Sequence, residues 1–264
     1  MPTDQRRFQQ EYYDRHYPER LAAVREQLVH PLFCSFYDRL AERVLDAGLE
    51  DRHDLTRPVR IFEVGCGEGF LGSAVLRVAA QRGLQVEYSG ADLSSAALEL
   101  ARPTLGDDLV VGDAEEVAAA LPTGSRDLFI VKNLLHHLED PASLLREAAR
   151  VVGGDGRVVV IEARLGGPQF WVFTLTAPRR ERYFFLGARR NRAALEAAGF
   201  SLVHRQRFSW LPYELLFHIR PGWFRRLLST GDPAVIERIS RLDDRLSATL
   251  PWLTSYVVWV AKRT

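Results

Sequence analysis

Short apolar segments alternate with longer amphipathic segments through the middle of the chain. The short ones are rich in Val, Ile and Phe and predict strands at 59–64, 86–91, 109–111, 127–131, 157–162, 200–208 and 256–261. The amphipathic ones predict helices at 71–82, 94–101, 115–120, 141–152 and 191–198. Such alternation favours an α/β fold with a parallel sheet, right-handed crossovers and helices on both faces. Ligands of these sheets bind beyond the carboxyl ends of the strands.

Both ends of the chain depart from this alternation. Residues 5–50 predict helices, with apolar stripes at Leu21, Val24 and Leu28 and along 33–45. Aromatic-rich segments at about 164–188 and 211–251 interrupt the later strands, and the second predicts helices near 223–228 and 233–246. We therefore expect residues 1–50 to form an N-terminal helical lid and residues 51–264 to form one domain with two cap insertions.

The segment from Ile61 to Leu71 is the clearest candidate for a ligand site. An apolar strand runs into Glu63, then Gly65, Gly67 and Gly69, then an amphipathic helix. Glycines let a ligand approach the main chain, and a helix N-terminus favours an anionic group. The run 67–72 also spells the G-x-G-x-x-G pattern of nicotinamide-binding proteins. The carboxylate inside the strand end and the 65-67-69 spacing argue against that alternative.

Composition narrows the classes of function. The chain has 264 residues, 47% of them hydrophobic and 26% charged, with a formal net charge of +1, which gives no global field for nucleic acid. Cys34 and Cys66 are the only cysteines, which favours a reducing cytoplasm over a disulfide framework. The N-terminus lacks an apolar signal core, and no apolar run reaches the roughly 18 residues of a membrane span.

Four motifs at predicted strand ends resemble those of class I S-adenosylmethionine-dependent methyltransferases. They are Glu63 to Gly69, Asp92-Leu93, Asp113-Ala114 and the run 127–141 with its Leu-His-His sequence. The likeness is greatest to the ubiquinone- and menaquinone-biosynthesis (type 11) small-molecule enzymes, over residues 57–163. The resemblance implies a Rossmann-like, doubly wound, seven-stranded and mostly parallel sheet with an antiparallel last strand.

The resemblance also implies roles in binding S-adenosyl-L-methionine. The loop residues Glu63, Gly65, Cys66, Gly67 and Gly69 would hold the methionyl part. Asp92, followed by Leu93, would accept the ribose hydroxyls, and Asp113 with Ala114 would meet the adenine. Asn133 would lie beside the methionyl amino group, whereas Lys132 departs from the small or polar residue usual there. Helix capping is the alternative for Asp92 and Asp113.

The candidate catalytic residues are His137, His136 and Tyr13. A histidine has the pKa to take a proton from an incoming hydroxyl or enol. One helix-capping and one packed histidine is the alternative. By resemblance the N-terminal segment folds over the cofactor as a lid that excludes water, which would bring Tyr13 to the pocket. Aromatic packing of an amphipathic helix is the alternative there.

The expected reaction is methyl transfer to an oxygen or carbon of a hydrophobic small molecule, of the aromatic, polyketide-like or isoprenoid kind met in natural-product biosynthesis. The cap insertions are apolar and aromatic, which suits such an acceptor. No metal and no nucleic acid are expected. Peripheral membrane contact through the second insertion and a homodimer stay open. The alternatives are a non-catalytic partner subunit with this fold and an NAD(P)-dependent oxidoreductase.

Overall fold

The described strands form one seven-stranded sheet in the order β3-β2-β1-β4-β5-β7-β6. A computed structural model describes residues 11, 24–26, 29–50, 52, 56–164, 187–211 and 231–264. The strands are β1 Val59–Val64, β2 Val86–Asp92, β3 Leu109–Val111, β4 Arg126–Lys132, β5 Val152–Ala163, β6 Phe200–Phe208 and β7 Tyr256–Arg263. Strands β1 to β5 pair in parallel, and β7 pairs antiparallel with both β5 and β6. This confirms the predicted fold class.

Seven α-helices are described, and most lie where the pattern predicts them. They are α1 Pro31–Leu49, α2 Phe70–Gln81, α3 Ser95–Leu105, α4 Ala114–Ala120, α5 Pro141–Val151, α6 Ala188–Ala197 and α7 Pro233–Thr249. Short 3-10 helices span Leu135–His137 and Pro251–Leu253, and neither was predicted. Several predicted bounds were wrong: α3 continues beyond residue 101 and α7 beyond residue 246, while β5 begins before residue 157 and α6 before residue 191.

The sheet carries a separate apolar core on each face. One core joins α1, α2 and α3 to side chains such as Ile61, Leu128 and Ile130. The other joins α5 and α6 to Phe62, Phe129 and their neighbours. Because adjacent strand residues point to opposite faces, the two cores follow directly from the Val/Ile/Phe strands. The carboxyl ends of β1, β2 and β4 therefore meet at one edge between the two helical layers.

Helix α1 is an integral part of the first core. Its stripe Phe33, Phe36, Tyr37, Leu40, Val44 and Leu45 is buried, as the sequence pattern predicts, and Leu32 is buried with it. The Phe36 ring stacks on Phe208 of β6 with centroids 5.2 Å apart. Nearly all of residues 1–30 lie outside the described residues, so the lid and its boundary at residue 50 stay predictions.

Helix α7 is tied to α1 by buried ion pairs. The carboxylate of Asp243, which is fully buried, accepts hydrogen bonds from Arg39 at 2.9 Å and from the backbone N–H groups of Trp210 and Leu211, both at 2.8 Å. Asp244 pairs with Arg39 and Arg43. A buried charge needs such partners to offset its desolvation. The contacts fix α7, which lies within the second insertion, against α1 and against the point where the chain enters that insertion; its residues 212–230 lie outside the described residues.

A second carboxylate cluster lies at the opposite, amino-terminal edge of the parallel strands. Asp127 in β4 accepts two hydrogen bonds from Arg57 at 2.9 Å and one from the backbone N–H of Arg60 at 2.8 Å, and it pairs with Arg52. Burial alone would raise the pKa of Asp127, but these arginines outweigh it and hold the pKa well below its ordinary value.

Within the described residues, none of the helices combines the length and hydropathy that crossing a bilayer requires.

Candidate cofactor and active site

The glycine loop after β1 adopts a backbone that glycine favours. Gly65, Gly67 and Gly69 have φ values of 69°, 53° and 78°, in the left-handed region where a side chain is strained. The N–H groups of Gly65 and Cys66 both donate to the carbonyl of Ala91, at 2.7 and 3.0 Å. The loop is therefore fixed against the end of β2.

Space for a ligand opens at the middle of this loop. A Cβ atom added to Gly67 would meet nothing within 4 Å, whereas one added to Gly69 would come 2.7 Å from Leu105. Gly69 is thus needed for packing against α3, while Gly67 faces open space. The loop offers a ligand its main chain at this point.

Asp92 joins the glycine loop to the turn after β2. Its Oδ2 accepts from the N–H of Gly67 at 2.8 Å, and its Oδ1 accepts from the N–H of Ser94 at 2.9 Å. Burial raises the pKa of Asp92 to about 6, although these two hydrogen bonds act to lower it. Ser94 is the residue that caps α3, since its hydroxyl accepts from Ala97. The turn that contains Leu93 therefore leaves Asp92 available beside the loop.

Glu63 is a buried carboxylate at the end of β1. Its side chain points to the face covered by α1 and α2, where the hydroxyl of Tyr88 donates to its Oε2 at 2.6 Å. Burial raises the pKa of Glu63 to about 7, while the Tyr88 hydrogen bond and the charge of Lys132 act to lower it. Sequence analysis missed Tyr88; its signal was a polar aromatic side chain at an alternate position of the neighbouring strand.

Asp113 performs the capping role that was its alternative interpretation. It precedes α4 and accepts from the N–H groups of Glu115 and Glu116 at 3.0 and 3.4 Å. Ala114 is the first residue of that helix. Capping through Oδ1 is compatible with a further contact, so the adenine role stays a prediction. The position, just beyond β3, is the one expected for it.

Asn133 lies at the end of β4 in a backbone conformation that is unusual for a residue with a side chain. Its φ is 50°, and its N–H donates to the carbonyl of Ile161 at 2.8 Å. Among non-glycine residues asparagine adopts this region most readily. The left-handed turn ends the strand and redirects the chain into the 3-10 helix 135–137.

Glu162 of β5 organises the two histidines, and sequence analysis missed it. Its Oε1 accepts from the backbone N–H groups of Leu134 and Leu135 at 3.1 and 2.7 Å. Its Oε2 lies 2.6 Å from Nδ1 of His136. The carboxylate is buried, so these three contacts set both the turn and the imidazole. An acid ending the strand next to β4 was the available signal, but only the strand pairing brings the two together.

The two adjacent histidines occupy different environments. Their rings lie 4.2 Å apart, centroid to centroid. Burial, together with the neighbouring His136, lowers the pKa of His137 well below its ordinary value, which keeps that ring neutral. His136 keeps 14% of its side-chain surface and holds the carboxylate contact. Tyr13 lies outside the described residues.

Two further candidates for chemistry at the loop are the thiol of Cys66 and a bound metal ion. Cys66 is buried, and burial raises the pKa of its thiol, so it does not supply a thiolate. Across the described part of the chain, no three His, Cys, Asp or Glu side chains are grouped so that they could hold a metal ion. The expectation of a metal-free site stays a prediction.

Comparison with known proteins places this domain. Residues 62–160 match the family described as "Methyltransferase domain". Ubiquinone biosynthesis O-methyltransferase of Thiobacillus denitrificans is 33% identical over 132 residues, which cover 48% of this chain and 48% of that protein. The protein of the same name from Ralstonia nicotianae is 36% identical over 103 residues, 38% of this chain and 41% of that protein. The chain spans about half the length of the curated relatives it matches.

Solved structures agree on the fold. A S-adenosylmethionine-dependent methyltransferase of Thermotoga maritima superposes with a TM-score of 0.60 at 16% identity, covering 97% of this chain and 99% of that one. Geranyl diphosphate C-methyltransferase of Streptomyces coelicolor, solved with S-adenosyl-L-homocysteine, gives 0.54 at 18% identity over 86% and 79%. At these identities the likeness shows the fold alone.

Residues 62–160 are thus similar to a methyltransferase domain, and the sheet that contains them has the fold of S-adenosylmethionine-dependent methyltransferases. The curated relatives that match this segment are named ubiquinone biosynthesis O-methyltransferases, and S-adenosyl-L-methionine is the cofactor of methyltransferases with this fold. The residues present fit this cofactor. Open space adjoins Gly67, whose N–H donates to the half-buried Asp92, and the buried Glu63 ends the strand before the loop; two carboxylates suit a cationic ligand with hydroxyl groups.

Proposed function

We propose that the chain transfers a methyl group from S-adenosyl-L-methionine to an oxygen or carbon of a hydrophobic small molecule, with a hydroxyl or enol as the favoured acceptor. The observation that carries the proposal is the contact between Glu162 and Nδ1 of His136 at the same strand edge as the glycine loop. This contact supports the proposal because a carboxylate that holds one ring nitrogen orients the other for proton transfer.

The cofactor-binding roles follow from the contacts around the loop. Asp92 is fixed by two backbone donors and would accept the ribose hydroxyls with its remaining lone pairs. Glu63 would receive the methionyl amino group, whose charge favours the ionised carboxylate. Bound there, the cofactor supplies an activated methyl group, so the chain's own task is to align the acceptor and to exclude water.

His136 is the better candidate for the base, ahead of His137, which sequence analysis placed first. A carboxylate only accepts hydrogen bonds, so the contact between Glu162 Oε2 and Nδ1 of His136 is made with the hydrogen on Nδ1. The Nε2 atom of a neutral His136 is then the acceptor. It would take the hydroxyl proton, and Glu162 would stabilise the resulting imidazolium. The neutral, buried His137 would pack beneath it.

The acceptor class is supported by two further observations. The matched curated relatives are named O-methyltransferases of ubiquinone biosynthesis. The two predicted cap insertions are rich in aromatic residues, which suits a hydrophobic aromatic, polyketide-like or isoprenoid acceptor. Most of both insertions lies outside the described residues. We therefore propose the acceptor's chemical class, a cytoplasmic setting and a small-molecule partner, but no single substrate.

The test is release of S-adenosyl-L-homocysteine with a panel of hydroxylated aromatic and prenylated acceptors. We expect turnover with at least one phenol or enol and a fall in kcat of roughly a hundredfold or more for His136→Asn, with the cofactor's dissociation constant unchanged. His204→Asn, on β6, is the matched control and should keep wild-type turnover. Unchanged kcat in His136→Asn, or a larger loss in His137→Asn, would assign the base elsewhere.

A further inference from the structure

Lys132 brings a positive charge to the strand edge beside the glycine loop. It is the last residue of β4, and its Nζ lies 5.3 Å from the centroid of the Tyr37 ring of α1. The Tyr37 ring in turn stacks on Phe70, the first residue of α2, with centroids 5.5 Å apart. The ammonium group is therefore held at the junction of α1, β4 and the end of the glycine loop.

The side chain lies on the same face of the sheet as Glu63. Leu128 and Ile130 belong to the core shared with α1 and α2, and the alternation along β4 gives Lys132 that face too. Phe129 and Val131 belong to the opposite core. Glu162, two residues beyond Val160 of that opposite core, shares its face by the same alternation. The edge thus separates a Lys132–Glu63 side from a His136–Glu162 side.

Charge at this edge is otherwise dominated by carboxylates. Glu63 and Asp92 are held by a tyrosine hydroxyl and by backbone N–H groups, and Glu68 lies within the loop itself. These acids attract the ammonium and sulfonium charges of the cofactor but repel its carboxylate. A zwitterionic ligand end requires an acceptor and a cation within a few ångströms of each other. Glu63 and Lys132 lie near the ends of the adjacent strands β1 and β4 on one face, which makes them the candidates for that pair.

We infer that Lys132 is a binding residue for the carboxylate of the cofactor's methionyl end, with Glu63 taking the adjacent amino group. The inference rests on the proposed cofactor site. Backbone amides of the glycine loop would share the carboxylate, and the Tyr37 ring would keep the lysine chain aimed at the loop. Lysine at this position would then raise specificity for ligands that retain the whole amino acid.

Three ligands separate the parts of this inference by calorimetry. S-adenosyl-L-homocysteine has both charged groups, S-adenosyl-3-thiopropylamine lacks only the carboxylate, and 5′-methylthioadenosine lacks both. We expect Lys132→Met to weaken the binding of S-adenosyl-L-homocysteine by about tenfold to a hundredfold, the usual range for losing a hydrogen bond to a charged group. Binding of 5′-methylthioadenosine should stay within about twofold. The amine ligand should bind equally or more tightly, because a like charge is removed.

Two variants serve as controls. Lys262 is the other lysine of the chain and is exposed on β7, so Lys262→Met should leave all three affinities unchanged. Lys132→Arg keeps the charge and should retain most of the preference for S-adenosyl-L-homocysteine. Equal weakening of all three ligands in Lys132→Met, or no weakening of S-adenosyl-L-homocysteine, would overturn the inference while leaving the proposed function intact. Wild-type protein that binds none of the three would overturn both.

Discussion

Carboxylates at the two edges of the sheet have opposite electrostatic environments. At the amino-terminal edge, Asp127 is surrounded by Arg52, Arg57 and Arg60, and its pKa is held well below the ordinary value. At the carboxyl edge, burial raises the pKa of Asp92 to about 6 and that of Glu63 to about 7. At the amino-terminal edge the protein itself supplies the positive charges that balance the carboxylate. At the carboxyl edge the hydrogen-bond donors are neutral groups.

That difference indicates which edge is built for a ligand. A carboxylate matched by arginines lowers the free energy of the folded state by itself. A buried carboxylate held mainly by neutral donors gains most when a cation arrives, and perturbed acids in a cleft are typical of functional sites. The comparison therefore predicts different effects of substitutions at the two edges. Substitutions at the carboxyl edge should change cofactor binding, and substitutions at the amino-terminal edge should change the free energy of unfolding.

The largest effect is expected from Asp92→Ala. Loss of the proposed ribose contacts should weaken S-adenosyl-L-homocysteine binding by about 2–3 kcal/mol, the range for hydrogen bonds to a charged group. The free energy of unfolding without ligand should fall by about 1 kcal/mol or less, because losing two backbone contacts is offset by removing a buried acid. Calorimetry and urea unfolding measure the two quantities. Unaltered binding would remove the ribose assignment.

A smaller and opposite result is expected from Asp127→Ala. The free energy of unfolding should fall by about 1–2 kcal/mol, since three arginines lose their shared partner but two of them are substantially exposed. Cofactor affinity should stay within experimental error, because the cluster lies at the far edge. Asp155→Ala, an exposed residue near the same edge, is the control. A fall in affinity as large as that of Asp92→Ala would erase the distinction between the edges.

Much of the scaffold was predictable because its signals are local. The bounds of β1, β3 and β6 were predicted to the residue, since β1 and β3 are apolar runs that end at a glycine and β6 lies between Gly199 and Ser209. The predicted end of α3 at residue 101 was wrong, because the helix accommodates Pro103. Burial of Leu105 against Gly69 carries the helix further, and Gly106 ends it with φ 84°. β5 begins before residue 157 because Val152 pairs with Arg126. The glycines that follow Val152 are typical of a turn, so the sequence pattern did not predict a strand there.

The site was only half predictable. Residues in a contiguous motif, such as Gly65, Gly67 and Asp92, could be found because motif and geometry coincide. Glu162 and Tyr88 could not, because each acts through a strand pairing between positions more than twenty residues apart. Sequence shows which side chains end a strand. Only the register of the sheet shows which of them meet.

The smallest effect concerns pH and tests the carboxyl edge directly. The folded pKa of Glu63 is raised from 4.5 to about 7 and that of Asp92 from 3.8 to about 6, so the folded protein holds more protons than the unfolded chain between about pH 4 and 7. The contribution of these two groups to unfolding stability should therefore be greatest at low pH and decline as pH rises through this window. The pKa of Asp127 is lowered, so its contribution to unfolding stability has the opposite pH dependence. That contribution is present at neutral pH and is lost only as pH falls below about 4.

Cofactor binding should show the mirror image of that dependence. An ammonium group binds the ionised Glu63, so affinity for S-adenosyl-L-homocysteine should rise about threefold to tenfold from pH 6 to pH 8, with release of protons at pH 6.5. Titration calorimetry in two buffers of different ionisation enthalpy measures the proton count. Glu63→Gln should abolish most of that release, whereas Glu87→Gln, at a partner position of β1 on β2, should leave it in place. Proton uptake instead of release would mean that the edge binds its ligand with the acid protonated, and the contrast with Asp127 would then carry no functional meaning.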